Sequence, residues 1–174
     1  MLIELSELLP NEGKSKEIRT DIELDVFETR MGSYPFTGDK TIQLTLTNIG
    51  EKSILVEGNI ACALSIPCDR CLEYVTNDFR INVSKEINMS ESSVIDESRE
   101  ESQYIIDTSL DIDRFAYSEI LVNLPMKVLC SEYCKGICNR CGANLNNGSC
   151  DCDTKELDPR MAKVLDIFNQ FKEV

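Results

Sequence analysis

The sequence predicts an α+β protein: an N-terminal antiparallel β-sheet that can curl into an open barrel, followed by a helix, a small cysteine-rich module and a C-terminal helix. Three observations lead there. The first half alternates apolar and polar residues, six of the nine cysteines crowd between Cys130 and Cys152, and a run with helical periodicity stands on either side of that crowd.

The β region is expected over residues 1–89. Ile22, Leu24 and Val26 form one alternating run, and Ile42, Leu44 and Leu46 form a second with Gln43 and Thr45 between them. After a turn at Asn48–Lys52, Val56, Ile60, Cys62, Leu64 and Ile66 continue the pattern, which reads as a long hairpin. Phe79, Ile81 and Val83 add a further strand. Residues 90–103 (SESSVIDESREESQ) hold five acids and one arginine with almost nothing apolar. Such a segment buries too little surface to offset the entropy of ordering, so it reads as a linker.

Residues 104–129 begin with a short strand at Tyr104–Ile106. Asp113 then caps a helix in which Ala116, Ile120 and Leu124 fall on one face, until Pro125 ends it. Residues 130–174 carry the cysteines and finish with a second helix. There Asp158 is the cap, Pro159 lies in the first turn, and Met161, Val164, Leu165, Phe168 and Phe171 make the apolar stripe.

Composition narrows the chemistry. No run approaches the roughly 20 apolar residues needed to span a bilayer, and Glu4 and Glu7 stand where a secretory signal would be basic and then apolar. The expected compartment is the cytoplasm, where thiols stay reduced and dense cysteines point to metal or catalysis. The cysteine count is odd, and there is no histidine. A Ser-His-Asp triad, a Cys-His nucleophile and a mixed Cys/His metal site are therefore all excluded. With 18 basic and 31 acidic residues the net charge is −13, which repels a phosphate backbone and suits a basic protein partner.

The segment LCSEYCKGICNRCGANLNNGSCDC is too rich in thiols for a reduced chain unless they bind a metal. Cys138-Asn-Arg-Cys141-Gly142 has the form of a zinc knuckle: two intervening residues let both sulfurs face one ion, and Gly142 permits the tight turn that follows. Asn147-Gly148 favours a hairpin turn that brings Cys150 and Cys152 back, so the first candidate set is Cys138, Cys141, Cys150 and Cys152. Residues two apart on a regular strand face opposite ways, however, and Cys134 and Cys130 are the substitutes. Cys68-Asp-Arg-Cys71 is a second pair between two strands. It either builds a second four-sulfur site or completes one site with two C-terminal cysteines; spacing does not choose, and Cys62 is the odd one out. Zinc in a structural role is the expected cofactor, with iron as the other metal such a site accepts.

These residues also carry a resemblance. Cys68-Asp69-Arg70-Cys71-Leu72-Glu73, then Leu124-Pro125-Met126, then Cys141-Gly142-Ala143-Asn144-Leu145-Asn146 within the cysteine cluster, and finally Asp158-Pro159-Arg160, together resemble the YceD family, the large ribosomal RNA subunit accumulation proteins of bacteria and plastids. The similarity runs in order through most of the chain. It implies a non-catalytic role in ribosome biogenesis, and it supplies no catalytic residues. Some members of that family lack the cysteines, which implies that the metal is structural support.

The expected function is thus a factor in ribosome biogenesis that supports accumulation of large-subunit ribosomal RNA. Its expected partner is a basic ribosomal protein or a large-subunit assembly intermediate, with no membrane and no small-molecule substrate. Two alternatives stand beside it. One is an enzyme, either a thiol oxidoreductase using Cys68 and Cys71 or a zinc hydrolase with an open coordination position. The other is direct RNA binding through Lys127, Lys135 and Arg140 beside the zinc module.

Overall fold

The computed structural model describes residues 1–89 and 104–152; the predicted acidic linker at 90–103 and the predicted helix from Asp158 lie outside the described residues. The chain divides into two compact units, Met1–Pro67 with Tyr74–Val128, and Cys68–Glu73 with Leu129–Val174.

The first unit is almost entirely antiparallel. Its strands are β1 (Leu2–Glu4), β2 (Ser15–Asp21), β3 (Val26–Thr29), β4 (Gly32–Pro35), β5 (Thr41–Gly50), β6 (Ser53–Pro67), β7 (Tyr74–Asn88), β8 (Ile105–Ile106) and β9 (Ser109–Asp111), followed by the helix α1 (Ile112–Val122). The main sheet has the order β2-β5-β6-β7; β1, β9 and β8 form a small second sheet, and β3 with β4 a hairpin. Period-two alternation explains the main sheet. In β5, Ile42, Leu44 and Leu46 point inward, and in β6 Ile54, Val56, Ile60, Cys62, Leu64 and Ile66 do the same. The hairpin turn falls where the sequence places it, since Gly50 pairs with Ser53.

Gly58 occupies an inward position of β6 between Leu44 of β5 and Val83 of β7. A Cβ there would lie 2.0 Å from the carbonyl oxygen of Gln43, so only glycine lets β5 approach. At the end of β5 the buried Asn48 is fully used. Its Nδ2 donates to the carbonyls of Leu8 and Leu9 at 2.9 and 3.1 Å, and its Oδ1 accepts from Gly50 N at 2.9 Å.

The structure corrects two expectations and bounds a third, the open barrel. Among the described residues no sheet closes into a barrel. The apolar face of the main sheet is covered instead by Phe27, Leu110, Ile112, Phe115 and Ile120, which join one buried cluster with it. The strand expected around Ile22–Val26 is displaced: β2 ends at Asp21 and β3 starts at Val26. Finally, the helix cap is Asp111, whose carboxylate accepts from the N–H groups of Asp113 and Arg114. The Asp113 carboxylate is engaged elsewhere, accepting from Glu23 N at 2.8 Å.

Candidate metal centres

The second unit opens with a tight loop. After β6 the chain turns through Cys68–Glu73 before β7 begins at Tyr74. Cys68 N donates to Glu73 O at 2.8 Å, Leu72 N donates to Cys68 O at 2.9 Å, and Leu72 takes a left-handed φ of 62°. The same construction recurs further along. Cys138 N donates to Ala143 O and Gly142 N to Cys138 O, both at 2.9 Å, with φ of 72° at Gly142. Cys68-Asp69-Arg70-Cys71 and Cys138-Asn139-Arg140-Cys141 are thus two copies of one knuckle, each with arginine before its second cysteine. The signal is present in the sequence as a repeated Cys-x-Arg-Cys; what hides it is Leu72, standing where the other copy has the expected glycine.

Each knuckle meets a second pair of thiols. The sulfurs of Cys68, Cys71, Cys130 and Cys134 lie within 4.8 Å of one another, and so do those of Cys138, Cys141, Cys150 and Cys152. The structure therefore gathers all eight candidate thiols and distributes them as two groups of four. Cys62 stays apart in the buried cluster of the first unit, where burial pushes its thiol up to about 11. Cys150 and Cys152 share a group because residues 148–152 form no strand, so strict alternation does not apply. The hairpin expected at Asn147-Gly148 is not formed; the chain turns one step earlier, with Asn147 N donating to Asn144 O at 3.2 Å.

Hydrogen bonds fix the first group closely. Arg70 Nη1 donates to the carbonyls of Cys134 and Glu132 at 2.8 and 3.5 Å, and Ile137 N donates to the carbonyl of Arg70 at 3.1 Å. Asn146 Nδ2 donates to Cys134 Sγ at 3.3 Å, while its Oδ1 accepts from Lys135 N at 2.7 Å. Asn144 Nδ2 donates to Glu73 Oε1 at 2.7 Å. The asparagines of the Asn144-Leu145-Asn146 stretch are therefore structural brackets, a role that spacing alone does not reveal.

The electrostatics favour a cation. At Cys68 burial opposes ionisation, but the N–H groups of Cys71, Arg70 and Cys130 aimed at the sulfur outweigh it and bring the thiol down to about 6. At Cys138 the N–H groups of Cys141 and Arg140 lead, and that thiol also falls to about 6. The Asn146 amide holds Cys134 below its ordinary value. Cys130 and Cys152 cannot follow: the Cys134 thiol drives Cys130 up to about 12, and the Cys141 thiol drives Cys152 up to about 12. Thiolates this close ionise together only around positive charge.

The geometry fits such an ion. Metal–sulfur bonds of about 2.3 Å place tetrahedral sulfurs about 3.8 Å apart. Here Cys68 and Cys134 are separated by 3.9 Å, and Cys71 and Cys130 by 3.5 Å. Both groups can hold a metal ion, and four-sulfur donor sets of this kind suit zinc or iron.

Among the described residues, fold and site together define an antiparallel β protein with one short helix and two four-cysteine centres. The chain belongs to the YceD family, described as large ribosomal RNA subunit accumulation protein, whose profile matches residues 56–168. It is 26% identical over 150 residues to the chloroplastic large ribosomal RNA subunit accumulation protein YCED homolog 1 of Arabidopsis thaliana, covering 71% of this chain and 47% of that protein. Uncharacterised proteins of Mycobacterium tuberculosis and Mycobacterium bovis are 26% identical over 128 residues, covering 72% of this chain. The chain spans about 60% of the length of those mycobacterial relatives. No solved structure matches. Among the described residues, no helix is long and apolar enough to cross a membrane.

Proposed function

We propose that this protein is a non-catalytic factor in ribosome biogenesis that supports accumulation of large-subunit ribosomal RNA in the bacterial cytoplasm. It acts by binding a basic ribosomal protein or a large-subunit assembly intermediate, and structural zinc sits at both four-cysteine centres. The observation that carries this proposal is the family match over residues 56–168.

The ligands we assign are Cys68, Cys71, Cys130 and Cys134 for one ion, and Cys138, Cys141, Cys150 and Cys152 for the other. Zinc supplies positive charge that lets each set of thiols ionise together, and it replaces the apolar core this segment lacks. Four thiolates around each ion leave no position for a substrate, which speaks against a zinc hydrolase. With both knuckles engaged, neither Cys68 nor Cys71 is free for a redox cycle.

Charge supports a protein partner over direct RNA contact. The whole chain carries −13, and Asp69, Glu73, Glu132 and Asp151 sit beside the centres against Arg70, Lys135 and Arg140. Two thiolate-bound divalent ions add further negative charge.

A pull-down from a bacterial lysate tests the proposal. The expected result is co-purification of basic large-subunit proteins that survives nuclease and fails at high salt. Co-purification abolished by nuclease would show that RNA is the direct ligand, and elemental analysis finding iron or no metal would overturn the zinc assignment.

A further inference from the structure

The two centres are built alike at their knuckles and differently everywhere else. In the first, Cys68, Cys71 and Cys134 are all buried, with at most 5% of any exposed. Arg70, Asn144 and Asn146 lock the two halves of that centre together through the bonds described above. In the second only Cys138 is buried; Cys141 is exposed, and Cys150 and Cys152 are half-exposed. Among the described residues, none of 148–152 takes part in a backbone–backbone hydrogen bond. Among the described residues, the far half of the second centre therefore lacks the backbone ladder and side-chain brackets that the first centre has.

This asymmetry decides which thiolates a small oxidant reaches first. Attack needs a sulfur open to solvent and a second sulfur close enough to close a disulfide. Cys141 meets the first condition, and all four sulfurs of its centre lie within 4.8 Å, which meets the second. Residues 148–152 form no strand or helix, so a shift of Cys150 or Cys152 toward Cys141 breaks no regular element. In the first centre only Cys130 is exposed, and its neighbours are pinned.

Resting on the metal assignment above, we propose that the second centre is an oxidation site: a hydroperoxide joins Cys141 to Cys150 or Cys152 and frees the ion, while the first centre keeps its own. Two thiolates each give up one electron as the S–S bond forms. The peroxide O–O bond breaks, taking those two electrons and two protons from solvent, so that hydrogen peroxide leaves as two waters. The divalent ion departs with its charge unchanged, because fewer than four thiolates remain to hold it. Residues 148–152 then stay tied to the knuckle by a covalent bond of different geometry, and a thiol reductant with zinc restores the original centre.

The test uses the intact zinc-loaded chain. Hydrogen peroxide is added in graded amounts with a chromogenic zinc indicator present, zinc per chain is counted by native mass spectrometry, and disulfides are mapped by peptide analysis. We expect two ions at the outset and loss of one in a distinct first phase, with the new disulfide joining Cys141 to Cys150 or Cys152 and reversal by reductant plus zinc. Release of both ions in one phase, or a first disulfide joining Cys130 to Cys71, would overturn the inference and leave the metal assignment intact. A chain with no zinc before peroxide is added would overturn the metal assignment and the inference with it.

Discussion

A side chain at Gly136 would begin 3.0 Å from the carbonyl oxygen of Arg70, and the N–H of the next residue, Ile137, donates to that same oxygen. Gly136 has a φ of 78°, so its backbone also occupies the region that costs other residues about 1 kcal/mol or more. The contact brings the first knuckle against the strand of chain that supplies Cys134. Gly136→Ala should therefore weaken the first centre specifically. The expected outcome is loss of one of two zinc ions under mild chelation, read by mass spectrometry, with the β-sheet signal unchanged in circular dichroism.

Leu72 and Gly142 occupy equivalent places in the two knuckles, both with left-handed φ. Leucine carries a Cβ penalty there that glycine does not, and its side chain is largely exposed. Leu72→Gly should stabilise the metal-bound protein by up to ~1 kcal/mol, whereas Gly142→Leu should destabilise it by a similar amount. Thermal unfolding of the zinc-loaded chains checks both, and a Leu72→Gly chain that melts earlier would sink the equivalence.

Asn48 is buried with its amide fully satisfied. Asn48→Leu takes the side-chain partner from the Leu9 carbonyl and Gly50 N and leaves the Leu8 carbonyl with the Asn11 N–H alone, at a buried to part-buried site. A loss of about 1–3 kcal/mol is expected in urea unfolding. Zinc content should not change, because the residue lies in the unit that carries no centre.

The Cys62 thiol is held at about 11, above its ordinary 9.0, by burial. Its pKa is higher folded than unfolded, so the neutral thiol contributes stability that is fully present below about pH 9 and is lost as pH rises through about 11. Comparing unfolding free energies of the native chain and Cys62→Ala isolates this effect. The stability advantage of the native chain should shrink by on the order of 2 kcal/mol across that window, and a constant difference would count against it.

How much of this is legible in the sequence depends on how local the cause is. β5, β6 and β7 announce themselves because each alternates cleanly over many residues, from Ile42 to Leu46, Val56 to Ile66 and Phe79 to Val83. β2 does not, since Ser15–Asp21 contains Ile18 as its only large apolar residue and is held by pairing with β5. What covers the main sheet is hidden for a related reason: alternation shows that a face is buried but not which elements pack on it. Asp113 looks like a cap because it precedes an apolar face, and only the contact with Glu23 N shows that its carboxylate is used elsewhere.

The centres divide the same way. Cys138 and Cys141 are readable from spacing, whereas the grouping of Cys68 with Cys134 spans 66 residues and no local pattern encodes it. The arrangement of Arg70, Asn144 and Asn146 around that group is equally non-local.

Because Cys71 and Cys130 meet while standing 59 residues apart, an ion placed between them turns the intervening chain into a ring that threads β7, β8, β9 and α1. During synthesis the knuckle at Cys68–Cys71 emerges as half a binding site and waits until all of those elements have followed it. The other site draws its four ligands from one short stretch at Cys138–Cys152 and is complete almost as soon as it is made. The two ions therefore close loops of very different length, and the larger share of chain entropy rides on the ion between Cys71 and Cys130.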